Sequence, residues 1–324
     1  MILGNNSETK IILPVRDYDL AATLDSGQVF RWQRNADGAS AGSDSWTGVI
    51  GKNPVQLTPA PDGIFAVTAG PVTDWQWLRD YLQTEVELES ILETFPDDRP
   101  MRAAVNACRG LRVLRQDPWE CLASFILSST KQIVQIRQIV ELLCERFGEP
   151  LTTGAPASLP AATAACAGTR RPDAGGHGKT LNSFCSFPSP EKIAAASEAG
   201  LRACKMGFRA PHLLAAARQI ADGKFDLERP RRLSPAEARA ELMKLRGVGG
   251  KIADCVLLFA YGLESAFPVD VWVERALRRL YFPRRQVTPK RLRQFAATHF
   301  GPHAGYAQQY LFHYMRTKTK TAFP

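Results

Sequence analysis

Residues 242–281, LMKLRGVGGKIADCVLLFAYGLESAFPVDVWVERALRRLY, decide how this chain is read. The stretch begins as a helix, meets Gly247-Val248-Gly249-Gly250, and restarts as a helix at Lys251. Three glycines around one apolar residue predict a tight hairpin with outward-facing backbone amides. Bare amides at the start of a helix make a nest for a phosphate, and a side chain at Gly247, Gly249 or Gly250 would hold that phosphate too far away. Lys251 falls in the first turn of the second helix, where the helix dipole disfavours a cation. A lysine that gives up its proton there is a nucleophile; one that keeps it binds phosphate or solvent.

Asp270 sharpens the choice. Pro268-Val269-Asp270 ends a loop, and Val271–Tyr281 reads as a further helix with Asp270 as its N-cap. The helix from Lys251 to Tyr261 is about 16 Å long at 1.5 Å per residue, and Gly262 can end it in the left-handed conformation. Residues 262–269 extend up to about 26 Å. That reach returns Asp270 to the side of Lys251. An amine and a carboxylate facing a phosphate-binding hairpin suit chemistry on a nucleotide, although a plain N-cap alone also explains the aspartate.

Charge along the chain points the same way. The sequence has 324 residues and a net charge of +9, unevenly spread. Residues 201–324 hold 23 basic and 9 acidic side chains, a balance of +14, whereas residues 1–200 are at −5. A basic C-terminal third suits a polyanion such as nucleic acid, or forms a merely solvated surface. Composition excludes collagen-like, coiled-coil and wholly disordered classes. No apolar run approaches the roughly 20 residues of a membrane span, and residues 1–30 lack the order of a secretory signal. A soluble intracellular protein is expected. The seven cysteines are odd in number, with no CxxC and no spacing under thirteen residues. Disulfides, zinc and iron–sulfur sites are therefore not expected. Neither metal nor cofactor is called for.

The rest of the chain divides by hydrophobic period. Residues 8–70 read as about five or six short antiparallel strands punctuated by Pro54, Pro59-Ala60-Pro61 and Asp62-Gly63. A helix follows near 73–83. From about residue 85 the period is helical, as in Ile133, Ile136, Ile139, Val140, Leu143 and Phe147. Residues 151–190 break the pattern: Ala, Gly, Pro, Ser and Thr make up 27 of these 40 residues, which reads as a mobile surface insertion. The expected class is α+β, with a β domain over 1–95 and a helical domain over 96–324.

The 242–281 block resembles the hairpin, Gly/Pro loop and aspartate of the helix-hairpin-helix base-excision DNA glycosylases. Across the whole chain the resemblance is to the 8-oxoguanine DNA glycosylase family. It is carried by LDSGQVFRW (24–32), LRQDPWECLASFILSS (114–129), MGFRAPHL (206–213), the hairpin block and GPHAGYAQQYLF (301–312). The resemblance implies a TATA-binding-protein-like N-terminal sheet followed by helical domains. It implies that Lys251 attacks the sugar C1′ to give a Schiff base and β-elimination, and that Asp270 assists base departure. The target nucleotide would be rotated out of the duplex. Gly27 would accept the N7–H of oxidised guanine on its carbonyl, Cys255 and Phe312 would sandwich the base, and Gln308 would bond its pairing edge. Phe208 would fill the vacated stack and Arg209 contact the opposite base. Thr130-Lys131-Gln132 stands where many members carry asparagines that fill the gap and read the opposite base, and Gln135 replaces an arginine in the same element. Trp272 and Met315 replace a histidine and an acidic residue. The implied partner is double-stranded DNA containing oxidised guanine, bound by a monomer wherever genomic DNA lies. Two alternatives remain: a monofunctional glycosylase for alkylated bases, which lacks the hairpin lysine, and a non-catalytic helix-hairpin-helix DNA-binding protein, which has no use for Lys251 and Asp270 together.

Overall fold

A computed structural model of the chain describes residues 8–35, 44–151 and 184–322, with side chains up to residue 317. Contacts divide it into two compact units, and each is built from separated stretches. One unit comprises residues 1–16, 30–79 and 127–222; the other comprises 17–29, 80–126 and 223–324. The chain crosses between units several times, so neither is a continuous run.

The first unit carries a five-stranded antiparallel sheet in the order β1-β5-β4-β3-β2. Its strands are β1 (Glu8–Pro14), β2 (Gln33–Asn35), β3 (Ser45–Ile50), β4 (Asn53–Ala60) and β5 (Gly63–Ala69). Ala60 pairs with Gly63 across the turn that Pro61-Asp62 makes, and the register then runs Thr58 to Phe65 and Val55 to Thr68. Leu13, Trp46, Val55, Leu57 and Ile64 are buried. The alternation expected of half-buried strands survives best in β1 and β4.

The same unit contains the helix Ile133–Phe147, whose buried side is Ile136, Ile139, Val140 and Leu143. A short ladder of β6 (Pro150–Leu151) and β7 (Phe184–Cys185) pairs the two described ends of the segment expected to be an insertion. Phe184 is buried, so its last residues belong to the packed unit. Residues 152–183 of that segment lie outside the described residues.

The second unit is helical. Its first piece departs from the strand reading of residues 8–70: Leu20–Asp25 is a helix. Asp19 caps it by accepting the Ala22 amide at 2.8 Å, and Leu20, Ala22, Thr23 and Leu24 are buried. Local capping chemistry therefore overrides a strand pattern too short to be decisive. The core of the unit is the apolar helix Pro118–Leu127 with Gly250–Phe259, Val271–Tyr281 and the C-terminal helix Ala304–Ala322. Among the described residues, no helix is long and apolar enough to cross a membrane, and no group of three metal-ligating side chains occurs.

Candidate active site

The hairpin forms between the helices Pro235–Leu242 and Gly250–Phe259. Ser234 and Glu237 make a capping box at the start of the first. The Val248 amide donates to the Leu245 carbonyl at 3.1 Å to close the turn, and Gly247 takes a φ of 86° that other residues avoid. The three glycines prove to have different reasons. A Cβ at Gly249 would meet nothing within 4 Å, as an open anion nest requires. Gly250 is small for an internal cause: a Cβ there would lie 2.0 Å from the Arg239 guanidinium. Arg239 ion-pairs with Asp254 one turn further on, Nε to Oδ1 at 2.7 Å.

Gly249 is the N-cap of the second helix, which puts Lys251 in its first turn as expected. Its Nζ lies 5.0 Å from the centroid of the Phe125 ring. The ammonium is close enough to hydrogen-bond the Cys255 thiol, one turn along the same helix. Burial nevertheless pushes that thiol up to about 12, so Cys255 stays neutral. Gly262 ends the stretch with a φ of 72°, and the loop returns the chain to Asp270. Asp270 does cap Val271–Tyr281, accepting the Val273 amide on Oδ1 at 2.8 Å. Burial holds its carboxyl above the usual carboxylate range; the Val273 amide, Lys251, the Trp272 amide and Arg316 oppose that rise.

Lys251 and Asp270 line one cavity together with Gly27, Cys255, Gln308 and Phe312. All six side-chain or backbone positions belong to the helical unit. The cavity is about 40 Å³, well below the roughly 300 Å³ at which ordinary ligand pockets begin. Gln308 is 4% exposed, and its Oε1 is buried without a hydrogen-bond partner. An orphaned buried acceptor beside a cavity is poised for a ligand donor. Lys251 also borders a wider groove of about 400 Å³, flanked by Arg239 and Arg293.

Gly27 has a φ of 85°, and its turn is held by residues the sequence reading did not single out. The Gln28 amide nitrogen donates to the Thr23 carbonyl at 3.0 Å and the Arg112 carbonyl at 2.8 Å, while its oxygen accepts the Leu114 amide at 2.8 Å. Gln116 donates to the Gln28 carbonyl at 2.8 Å, and Gln309 to the Ser26 carbonyl at 3.4 Å. Phe125 is a further wall residue that was missed. A polar residue beside Gly27 and an aromatic in an apolar helix carry no local signal of such roles.

The remaining candidates lie in the sheet-containing unit. Phe208 is 57% exposed, whereas Arg209 is 2% exposed. The Arg209 guanidinium sits 4.3 Å from the Phe208 ring centroid and donates to the Thr130 hydroxyl and the Met206 carbonyl. Thr130 takes a positive φ of 58°, unusual for a β-branched residue. Gln135 is engaged too: its Oε1 accepts the Gln132 amide at 3.1 Å and completes a capping box.

Known proteins resemble this chain over most of its length. A structure of MBOgg1 bound to a low-affinity DNA ligand is 32% identical, covers 96% of each chain and superposes with a TM-score of 0.80. The Clostridium acetobutylicum 8-oxoguanine glycosylase/lyase in complex with DNA containing cytosine opposite 8-oxoguanine is 28% identical, with a TM-score of 0.78 over 95% of this chain and 98% of that one. A probable N-glycosylase/DNA lyase of Methanothermobacter thermautotrophicus is 29% identical over 94% of this chain and 95% of its own length. Residues 10–122 match the N-terminal domain of 8-oxoguanine DNA glycosylase. Residues 123–302, which hold the hairpin, Lys251 and Asp270, match the HhH-GPD superfamily of base excision DNA repair proteins, and the chain belongs to that family.

Proposed function

We infer that the protein is a bifunctional DNA glycosylase and abasic-site lyase that removes 8-oxoguanine from duplex DNA. The observation that carries the reading is the placement of Lys251 and Asp270 on one cavity, with Lys251 near enough to favour the ionised form of the Asp270 carboxyl. The neutral Lys251 amine adds to C1′ as the C1′–N9 bond breaks. The bonding pair leaves with the base, which takes up a proton. The sugar ring then opens, the C1′–O4′ pair passing to O4′, and leaves a protonated Schiff base. Loss of a C2′ proton expels the 3′ phosphate by β-elimination. The ionised Asp270 carboxylate opposes the positive charge that develops on the sugar, an effect strongest in a water-poor site.

Recognition of the base falls to the other four positions. The Gly27 carbonyl, fixed by the Gln28 network, accepts from an N7–H that only the oxidised base carries. Gln308 offers its orphaned Oε1 to the pairing edge, and Cys255 and Phe312 take the two faces. Phe208 suits the gap left in the stack because it is an exposed aromatic braced by Arg209. The Gly249 nest and the Arg239–Arg293 groove suit backbone phosphates. A monomer acting on genomic DNA is part of this proposal.

The test is borohydride reduction during reaction with an 8-oxoguanine duplex. A covalent adduct is expected with the native protein and none with Lys251→Gln, which should still bind the duplex. Base release by Lys251→Gln at the native rate would make water the nucleophile. It would favour the monofunctional reading, in which this lysine has no role.

A further inference from the structure

Glu264 and His303 have no role in the sequence reading, yet the loop that ends at Asp270 is fastened through them. The Leu263 amide ties the start of that loop back to the Leu257 carbonyl at 2.9 Å. Its middle is tied to the first turn of the C-terminal helix, where the Gly305 amide donates to the Glu264 carbonyl at 2.7 Å. A Cβ at Gly305 would lie 2.7 Å from the Ala266 carbonyl oxygen, so only glycine permits this approach. Phe267 stacks on Phe300 with ring centroids 5.1 Å apart. The Glu264 carboxylate meets the His303 ring, Oε2 to Nε2 at 3.2 Å. All these residues belong to the helical unit. The helix Ala304–Ala322 carries Gln308 and Phe312 to the cavity, so these contacts join the loop of the reacting carboxylate to the helix that would recognise the base.

His303 has two fixed partners, and both accept. Its Nδ1 lies 2.9 Å from the Thr94 hydroxyl oxygen, whose own proton is donated to the Ile91 carbonyl at 2.7 Å. A carbonyl only accepts and a hydroxyl has one proton to give, so the Thr94 oxygen accepts from Nδ1–H. The contact between Nε2 and Glu264 needs one further proton. Imidazole is ordinarily a stronger base than a carboxylate, and a helix N-terminus favours the carboxylate. Arg115, which lies against the α-carbon of Gly262, is a second cation near Glu264. Tyr306 also faces Glu264 and is neutral, because burial pushes its hydroxyl up to about 12. The proton therefore sits on Nε2, and both ring nitrogens donate. The helix dipole opposes a cation at His303, so the two acceptors are what hold it.

We propose that His303 is an imidazolium held between Thr94 and Glu264, and that it is a positioning residue: it fixes the loop so that Asp270 is presented to the cavity that Gln308 and Phe312 line. This rests on the reading of Lys251 and Asp270 as the reacting pair. His303 and Glu264 act through the loop and touch no reacting atom.

The direct test is nitrogen NMR of the full chain labelled at histidine, at neutral pH, with the His303 ring signals assigned by their absence from His303→Gln. Native protein is expected to show a proton on both ring nitrogens. In Glu264→Gln the new amide can donate to Nε2, so a proton on Nδ1 alone is expected. A bare Nε2 in native protein, or two protonated nitrogens in Glu264→Gln, overturns the imidazolium held by Glu264. The positioning role is read from single-turnover base release, with enzyme saturating over an 8-oxoguanine duplex. His303→Leu should slow release by about 10- to 10²-fold, as a misplaced reacting group does, while duplex affinity stays near native. In an Asp270→Asn background the same change should cost no further rate. Native release by folded His303→Leu, or an undiminished loss in the Asp270→Asn background, overturns the positioning role. Native release by Asp270→Asn alone would instead sink the reading of the reacting pair, and the ring-nitrogen signals would still judge the imidazolium. Thermal melts establish that each variant is folded. If His303→Leu is not, Glu264→Ala removes the other half of the pair and takes its place with the same expectations.

Discussion

Arg239 lies across the α-carbon of Gly250, in the space that any side chain there would occupy, and from that position it ion-pairs with Asp254. Lys251 stands between the glycine and the aspartate on the same helix. The pair thus ties the helix that bears the amine to the preceding helix of the hairpin, and the glycine is what lets the arginine approach.

A double-mutant cycle follows from that contact. Gly250→Ala should push Arg239 off Asp254 and destabilise the native protein, whereas in an Arg239→Ala background the same change should be neutral or stabilising. Contacting groups of this kind couple by about 0.5–3 kcal/mol. Chemical denaturation of the four proteins measures the coupling, and simple additivity would mean that the guanidinium accommodates the methyl group without cost.

Gln308 separates stability from recognition. Its Oε1 has no partner in the free protein, so Gln308→Met should leave thermal stability unchanged or slightly raised. Loss of a hydrogen bond to the base is worth about 1–3 kcal/mol, which is roughly five- to 150-fold in kcat/KM. A variant that is unstable but fully active would assign Gln308 to the core instead.

Asp270 gives a pH signature in stability as well as in activity. Burial raises its folded-state carboxyl above the ordinary value, so the folded protein holds this proton more tightly than the unfolded chain does. Stability from this group is then present at low pH and falls as pH rises through the folded-state value. Asp270→Asn removes that loss and keeps the helix cap. Its stability relative to native protein should improve from acid to neutral pH, while base excision slows by at least about 10²-fold. Melting curves across that range check the sign; a deficit of the asparagine protein that grows towards neutral pH would contradict it.

Binding to undamaged duplex should weaken steeply with salt, because residues 201–324 carry the +14 balance and each neutralised phosphate releases counterions. The log–log slope is about −0.9 per phosphate contact. A Cβ at Gly249 would meet nothing within 4 Å, so Gly249→Val should fold normally and bind all duplex sequences less tightly while keeping its preference for the oxidised base. Native affinity in that variant would remove the hairpin from the phosphate interface.

Much of this was legible in the residues themselves. The change of hydrophobic period separated the sheet of residues 8–69 from the helices, because pleat and helix impose periods that a short window reveals. The Asp270 cap and the left-handed Gly262 followed from local backbone chemistry. So did the first-turn position of Lys251, and the loop length allowed Asp270 to return to it. Resemblance supplied the candidates Gly27, Cys255, Gln308 and Phe312, which periodicity alone would have assigned to a turn and to the core.

What only the tertiary structure decided depends on partners far apart in the chain. Leu20–Asp25 is a helix where strands were expected, because the Asp19 cap and burial outweigh a weak pattern. Ile133–Phe147 joins the sheet-containing unit although its own period is helical. Gln28 is a polar residue on a turn until it reaches Arg112 and Leu114, 84 and 86 residues away. The same holds for Arg316, which meets Asp25 from 291 residues away, and for Gly250, whose need to be glycine lies in Arg239. Local pattern records what a segment does with its own backbone and its apolar face. Which side chain ends beside which is settled only when separated segments pack together, because the pairing energy is a property of the contact and leaves no periodic trace in either segment.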